Sequence, residues 1–133
     1  MIDTNTVSYI IKGKSPASRA KLANLNLGEI ACISAITEAE LQFGLAKSPK
    51  ATTLRSAAEA FFTRIQVIAW GRQEASTYGT LRAKQEASGK PLGNLDMLIA
   101  AHAISVGAIL VTNDKAFAHV SDTLQTVNWT SEL

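Results

Sequence analysis

The sequence predicts an α/β fold in which helices cover both faces of a parallel β-sheet. Short β-rich segments alternate along the chain with segments of helical periodicity, which is typical of parallel sheets. The predicted strand at residues 108–112 is almost continuously apolar, as expected for a strand buried on both faces. The composition agrees, because 47% of the 133 residues are apolar and only 18% are charged. We therefore expect one domain over residues 1–133.

The predicted elements follow one another in regular order. Strands are expected at residues 29–34, 65–70 and 108–112, with a weaker one at 124–129, and a short first strand ends at Asp3. Between them, apolar residues spaced three and four apart predict helices. The residues with this spacing are Ile36, Leu41 and Leu45; Leu54, Ala57, Ala58, Phe61 and Phe62; Tyr78, Leu81 and Gln85; and Leu98, Ile99, Ala101 and Ile104. Gly107 is placed to end the last helix.

Charge and cysteine content limit the classes of function. Thirteen Lys and Arg against eleven Asp and Glu give a net charge of +2, which neither requires nor excludes a nucleic-acid partner. The single cysteine, Cys32, excludes an internal disulfide and favours a buried thiol in a reducing compartment. Met1 is not followed by a secretory signal, and the longest apolar segment, residues 97–111, is shorter than the roughly 20 residues of a membrane-spanning helix. We expect a cytoplasmic protein with no membrane partner.

Acidic residues lie at the edges of the strongest apolar segments. Asp3 ends the first strand, Asp114 follows the most apolar strand, and Asp96 is in the first turn of the last predicted helix. Glu40 is within two turns of the start of the helix after residues 29–34. Because ligands of open α/β sheets collect at the carboxyl ends of the strands, we expect these carboxylates at one edge. Carboxylates so close repel one another unless a cation offsets them, and oxygen ligands alone favour Mg²⁺ or Mn²⁺.

Each acid also has a structural alternative, which the sequence leaves open. Glu40 has the spacing of a capping box, in which it would reach back to the start of its helix. Asp96 is a first-turn acid of the kind that the helix dipole favours, with Asn94 as the capping residue. Asp3 and Asp114 fit ordinary turns.

Four ordered segments contain these acids: IDTN at residues 2–5, ITEAELQFG at 36–44, GNLDMLIAAHA at 93–103 and LVTND at 110–114. In order and spacing they resemble the PIN-domain ribonucleases, in particular the VapC toxins of bacterial toxin–antitoxin pairs, from Met1 to about Trp129. The resemblance implies a three-layer α/β/α sandwich with a short parallel β-sheet. It also implies more apolar residues before the first aspartate than Met1 and Ile2 supply, so we expect either a shortened first strand, with reduced stability, or a sequence that begins late.

The same resemblance implies a metal-dependent endonuclease that cleaves structured RNA, often transfer RNA. It assigns metal binding and catalysis to four acids, of which the last is the more variable: Asp3, Glu40, Asp96 and Asp114. Asn5 and Thr112 would be polar groups that orient these acids. A bound Mg²⁺ lowers the pKa of its water and stabilises charge around phosphorus. The resemblance further implies a homodimer and a VapB-like antitoxin whose tail occupies the acidic pocket, often through a basic side chain.

Basic residues are the only guide to the substrate. Four of them fall in the first 21 residues, where Asp3 is the sole acid: Lys12, Lys14, Arg19 and Lys21. We expect this stretch to bind RNA phosphates beside the acidic pocket, with a merely solvated surface as the equal alternative. Lys47 and Lys50 are the next candidates. Phosphate contacts carry no sequence information, so the identity of the RNA cannot be read from them.

Two other classes of protein share features of this sequence with a nuclease. A signalling receiver domain has a similar length and magnesium-binding acids, but it needs a phosphoacceptor Asp after a middle strand, and no aspartate lies between Asp3 and Asp96. A non-catalytic RNA-binding or interaction module could retain the PIN fold, although the presence of all four acids favours the enzyme. His102 lies off the helical face of Asp96, which favours packing or an interface over catalysis.

Overall fold

The helices and strands of the structure, a computed structural model that describes residues 1–130, follow the predicted alternation. In chain order they are helices α1 (Thr4–Lys12) and α2 (Pro16–Ala23), strand β1 (Cys32–Ser34), helices α3 (Ala35–Lys47) and α4 (Thr52–Phe62), strand β2 (Gln66–Ile68), helices α5 (Arg72–Ala87) and α6 (Asn94–Val106), strand β3 (Leu110–Val111), a 3-10 helix (Lys115–Val120) and strand β4 (Thr126–Val127). Every strand is shorter than its prediction. Helices α1 and α2 were not predicted.

The sheet consists of two parallel strand pairs joined by one residue. Strand β1 pairs with β2, and β3 pairs with β4. Between the pairs lies Ile2, whose amide donates to the Cys32 carbonyl at 2.9 Å and which forms a parallel bridge with Val111. The order across the sheet is therefore β2, β1, Ile2, β3, β4. The expected short first strand is confirmed, and it lies at the centre of the sheet.

Side chains of the central strands alternate between two apolar clusters, as the pleat of a strand requires. Met1, Cys32 and Leu110 belong to the cluster that contains α5, α6 and the 3-10 helix. Their neighbours contribute to the other cluster, with helices α1, α2 and α4: Ile2, Ile33 and Val111. Each face of the sheet is thus covered by helices, and the predicted α/β/α sandwich is confirmed.

The ends of the helices place several functional residues. Asp3 caps α1, because its Oδ1 accepts the Thr6 amide at 2.9 Å. Ser34 caps α3 in the same way, accepting the Ile36 amide at 3.0 Å. Gly107 ends α6 in the left-handed conformation, with φ of 67°, as its position predicted. No helix within residues 1–130 has the length and apolar character needed to cross a membrane.

Candidate active site

The four predicted acids come from four separate segments to the carboxyl edge of the sheet. Asp3 follows Ile2, Asp114 follows β3, Glu40 lies in α3 and Asp96 lies in the first turn of α6. Asp3 is buried, with 4% of its surface exposed, and the other acids are half-buried. Burial, followed by the negative charges of Asp114, Asp3 and Glu40, raises the pKa of Asp96. The structure thus brings these carboxylates within electrostatic reach of one another.

Asp3 and Asp114 are joined through one hydroxyl. Thr112 Oγ1 donates to Asp3 Oδ2 and accepts the Asp114 amide at 3.0 Å. Thr112 is buried, so both hydrogen bonds are shielded from water. These contacts are compatible with the orienting role predicted for Thr112, which stays a prediction. Asp114 also caps the 3-10 helix through the Ala116 amide at 2.9 Å, so these two acids are capping residues as well as members of the site.

Glu40 is held by a residue that the sequence did not single out. Thr4 Oγ1 donates to Glu40 Oε1 at 2.8 Å and lies 3.2 Å from the hydroxyl of Thr37. The capping-box alternative for Glu40 is wrong, because α3 begins at Ala35 and Ser34 is its cap. The position of Thr4, directly after a capping aspartate, is the signal that could have identified it.

Asn5 does not take the orienting role that was expected for it. It is exposed, it lines a cavity beside Glu40, and no hydrogen bond from it to a carboxylate is present within residues 1–130. Thr4 is the residue of α1 that donates to Glu40, and Asn5 lies about 100° further around the helix axis.

Asp96 is the acid least engaged by the protein. Helix α6 begins after Gly93, so the expected cap at Asn94 is wrong, and no side chain caps this helix. A Cβ atom at residue 93 would lie 3.7 Å from Asp96 Oδ2, so glycine keeps the space beside the carboxylate open. An acid in a helix first turn interacts favourably with the dipole, and its oxygens remain available to a ligand.

The donor set suits a hard divalent cation, although it does not form a closed cage. Within residues 1–130, no three His, Cys, Asp or Glu side chains lie together closely enough to enclose a metal ion. Mg²⁺ commonly retains several waters and is held by only one or two carboxylates, so an open oxygen site fits it. Asp96 has a raised pKa, and its carboxylate makes no capping hydrogen bond in α6. A bound cation would therefore stabilise the ionised form of Asp96.

Beneath the acids, His102 connects α6 to the start of α3. Its ring is fully buried, and Nδ1 lies 2.7 Å from Ser34 Oγ. Ser34 Oγ accepts the Ile36 amide, so its own hydrogen is available to donate to Nδ1 of His102. In that arrangement Nε2 carries the ring hydrogen, and Nε2 lies 3.7 Å from Glu74 Oε1. Burial lowers the pKa of His102 despite the opposing charge of Glu74. The predicted packing role of His102 is therefore confirmed.

The four expected RNA-binding residues occupy different surroundings. Lys12 lines the cavity beside Glu40, Lys14 lines a second cavity, and Lys21 is exposed on α2. Arg19 differs, because its Nε donates to the Ile10 carbonyl at 2.8 Å and closes the end of α1. Two of its donors bond backbone carbonyls, so Arg19 has a structural role that the sequence did not predict.

The cavity beside Glu40 is a groove of about 740 Å³ between α1, α3 and α4. Its walls are mainly apolar and include Phe43 and Leu95, both of which are exposed. Lys12 and Lys47 stand among its lining residues. The groove therefore combines an apolar floor with a carboxylate at one side.

A parallel sheet between helical layers, with acids gathered at its carboxyl edge, is the arrangement expected of a PIN domain. The sequence model of the PIN domain matches residues 1–122, and the chain belongs to this family. It is 39% identical over 130 residues to the tRNA(fMet)-specific endonuclease VapC of Shigella flexneri, covering 97% of this chain and 96% of that one.

Solved structures give the same result. VapBC2 from Rickettsia felis, bound to a DNA fragment from its promoter, superposes with a TM-score of 0.90 at 36% identity, covering 97% of each chain. VapBC-1 from nontypeable Haemophilus influenzae gives 0.85 at 32% identity, covering 98% of each chain. The resemblance inferred from the sequence segments is confirmed.

Proposed function

We propose that this chain, as one PIN-like domain over residues 1–133, is a metal-dependent endoribonuclease and the toxin of a type II toxin–antitoxin system. Its substrate would be structured RNA, in particular transfer RNA in the cytoplasm, and its cofactor Mg²⁺ or Mn²⁺. The observation that carries the proposal is the convergence of four carboxylates from separate segments at one edge of the sheet, where burial and the neighbouring negative charges raise the pKa of Asp96. A protein keeps like charges together at such a cost where a cation or a reacting group uses them.

The proposed chemistry divides between the acids and the groups that hold them. When bound, the metal ion lowers the pKa of a water and stabilises negative charge on the attacked phosphate. Asp96 and Asp114 supply half-exposed carboxylates, and Thr112 and Thr4 fix Asp3 and Glu40 so that their oxygens face the site. Lys12, Lys14 and Lys21 would neutralise RNA phosphates around it.

A VapB-like antitoxin is the proposed protein partner, since the solved relatives are VapBC complexes. The groove between α1, α3 and α4 supports this proposal, because an amphipathic segment could bury apolar side chains there and extend a basic residue to Glu40. We also propose a homodimer, on the family resemblance, which sedimentation of the purified chain would test.

The direct test is cleavage of purified total transfer RNA. Protein with Mg²⁺ or Mn²⁺ should produce discrete fragments, and protein with excess chelator should produce none. Restoring the metal should restore the same fragments. Binding without cleavage at any metal concentration would refute the nuclease and identify the non-catalytic module instead.

A further inference from the structure

A smaller cavity, which shares no lining residue with the large groove, lies near the end of α1 and next to Asp114 in the chain. It measures about 260 Å³ and lies between the turn that joins α1 to α2 and the chain segments that follow β3 and β4. Its lining residues are Tyr9, Lys14, Ser15, Pro16, Ala17, Asn113 and Thr130. Ligand pockets for drug-sized molecules usually exceed roughly 300 Å³, so this cavity suits one small planar group.

The cavity has a fixed position relative to the acids because of Asn113. On one side of Asn113, Thr112 is bonded to Asp3, and on the other side Asp114 is bonded to Thr112 and caps the 3-10 helix. The backbone at Asn113 is therefore held between two residues of the site. The cavity therefore lies one residue along the chain from Asp114, close to the acidic edge of the sheet.

Three side chains of the cavity are available to a ligand. Within residues 1–130, no hydrogen bond or ion pair engages the hydroxyl of half-buried Tyr9, the ammonium of Lys14 or the amide of exposed Asn113. The other polar residues differ, since Ser15 is bonded to Ser18 and Thr130 to Asn128. The cavity thus offers an aromatic ring, a cation and a free amide together.

An aromatic ring, a cation and an amide are the groups that commonly bind single RNA nucleotides. Unpaired bases stack on aromatic rings, amide side chains hydrogen-bond the edges of bases, and lysine neutralises phosphate. We propose that the cavity between Tyr9, Lys14 and Asn113 is a nucleotide subsite that binds one unpaired RNA nucleotide beside the bond that is cut. The inference rests on the proposed ribonuclease function and adds to it a contact that reads a base.

Binding can be tested without cleavage, in chelator, by fluorescence anisotropy with short unpaired RNAs. Each RNA carries one abasic nucleotide, moved position by position along the strand. Tyr9→Leu should weaken binding of the intact RNA about 10-fold, the usual effect of losing one stacked base. At one abasic position, and only there, parent and Tyr9→Leu should bind equally, because the base that Tyr9 contacts is already missing.

Further variants separate stacking from charge and from folding. Tyr9→Phe keeps the ring and should bind like the parent, and Asn113→Ala, at an exposed position, should weaken binding and show the same abasic position. Lys14→Gln should reduce the slope of log affinity against log salt by roughly 0.7–0.9, whereas Lys90→Gln, an equal charge change at an exposed loop residue, should not. Thermal unfolding of each variant checks that it is folded.

The outcomes distinguish the subsite from the nuclease. If Tyr9→Leu and Asn113→Ala bind every RNA as the parent does, or weaken all of them equally, the subsite is refuted while cleavage of transfer RNA is unaffected. If the parent cleaves nothing in Mg²⁺ but the abasic position is found, the nuclease fails and a base-binding site stands.

Discussion

At the scale of single residues, two acids of this site have structural contacts in addition to the metal-binding role proposed for them. Asp3 caps α1 with one oxygen and accepts Thr112 with the other, and Asp114 caps the 3-10 helix. The turn and capping interpretations of these residues are therefore compatible with the metal site. Substituting either residue would change folding as well as charge. Asp96 makes no capping bond, so it is the best position at which to isolate the role of the charge.

We expect Asp96→Asn to abolish cleavage and to stabilise the metal-free protein at neutral pH. Loss of a metal ligand should reduce the cleavage rate by more than the roughly 10–100-fold that is typical of losing a group that orients a ligand. Because the folded-state pKa of Asp96 is raised above 3.8, the fold favours its protonated form. In chelator, the free energy of unfolding of the parent should fall as pH rises from 3.8 through that raised pKa, and this component should be absent in Asp96→Asn.

Urea unfolding across pH, together with the transfer-RNA assay, measures both effects. Glu59→Gln is the matched control, since it removes one carboxylate charge from an exposed residue of α4 outside the site. Near-parental cleavage by Asp96→Asn would show that Asp96 is not part of the active site. If the free energy of unfolding depends on pH identically in the parent and in Asp96→Asn, the ionised carboxylate of Asp96 does not destabilise the metal-free fold.

At the scale of elements, one contact sets the start of α3 against α6. Ser34 caps α3 and also bonds His102, so the helices that carry Glu40 and Asp96 meet at a single buried hydroxyl. The ring of His102 is fully buried and its Nε2 has no hydrogen-bond partner within residues 1–130. The loss of Ser34 would leave both ring nitrogens without a partner.

Ser34→Ala should therefore destabilise the protein by more than an ordinary cap. Loss of the cap costs about 1 kcal/mol, and stranding a buried ring nitrogen adds about 1–3 kcal/mol. Chemical denaturation should give a total of about 2–4 kcal/mol, against a change below about 0.5 kcal/mol for Ser121→Ala at an exposed helix end. A loss of about 1 kcal/mol or less in the free energy of unfolding, which the missing cap alone explains, would show that the contact with His102 contributes nothing.

The elements were predictable where local pattern decides them. The strands and helices α3 to α6 follow from apolar spacing, whereas α1 has the β-branched and aromatic composition of a strand, with Thr6, Val7, Tyr9, Ile10 and Ile11. Its capping by Asp3 overrides that composition. The strands are shorter than predicted because residues such as Ile30 have no neighbour to pair with and are exposed.

The site was predictable only in part, for a related reason. The acids could be located by their order in the sequence, but their supports could not. Thr4 and Glu40 are 36 positions apart, and Ser34 and His102 are 68 apart. Such contacts depend on how whole layers pack, and no local spacing encodes them.

At the scale of the whole molecule, a cation should act as a stabilising ligand. At neutral pH the metal-free protein contains mutually repelling carboxylates, and binding of Mg²⁺ to the folded state alone would raise its stability by about 2.7 kcal/mol at 100 times the dissociation constant. We expect the melting temperature to rise with Mg²⁺ at pH 7 and to rise less at acidic pH, where the acids are protonated.

Differential scanning calorimetry with added Mg²⁺ checks this expectation, with KCl at equal ionic strength as the control for screening. Asp96→Asn should lose most of the increase. Equal effects of the two salts would show that the acids do not bind the metal specifically.

The position of Ile2 has a consequence for synthesis of the protein. Asp3, which directly follows the central bridge residue Ile2, meets its hydroxyl partner 109 positions later in the chain, at Thr112. Contacts of such long sequence separation form late in folding. Helices α1 to α5 are complete in the nascent chain long before the carboxylates can converge. On the proposed function, a growing chain that has not yet reached Asp114 lacks a complete acidic site and should leave the RNA of its own ribosome uncut.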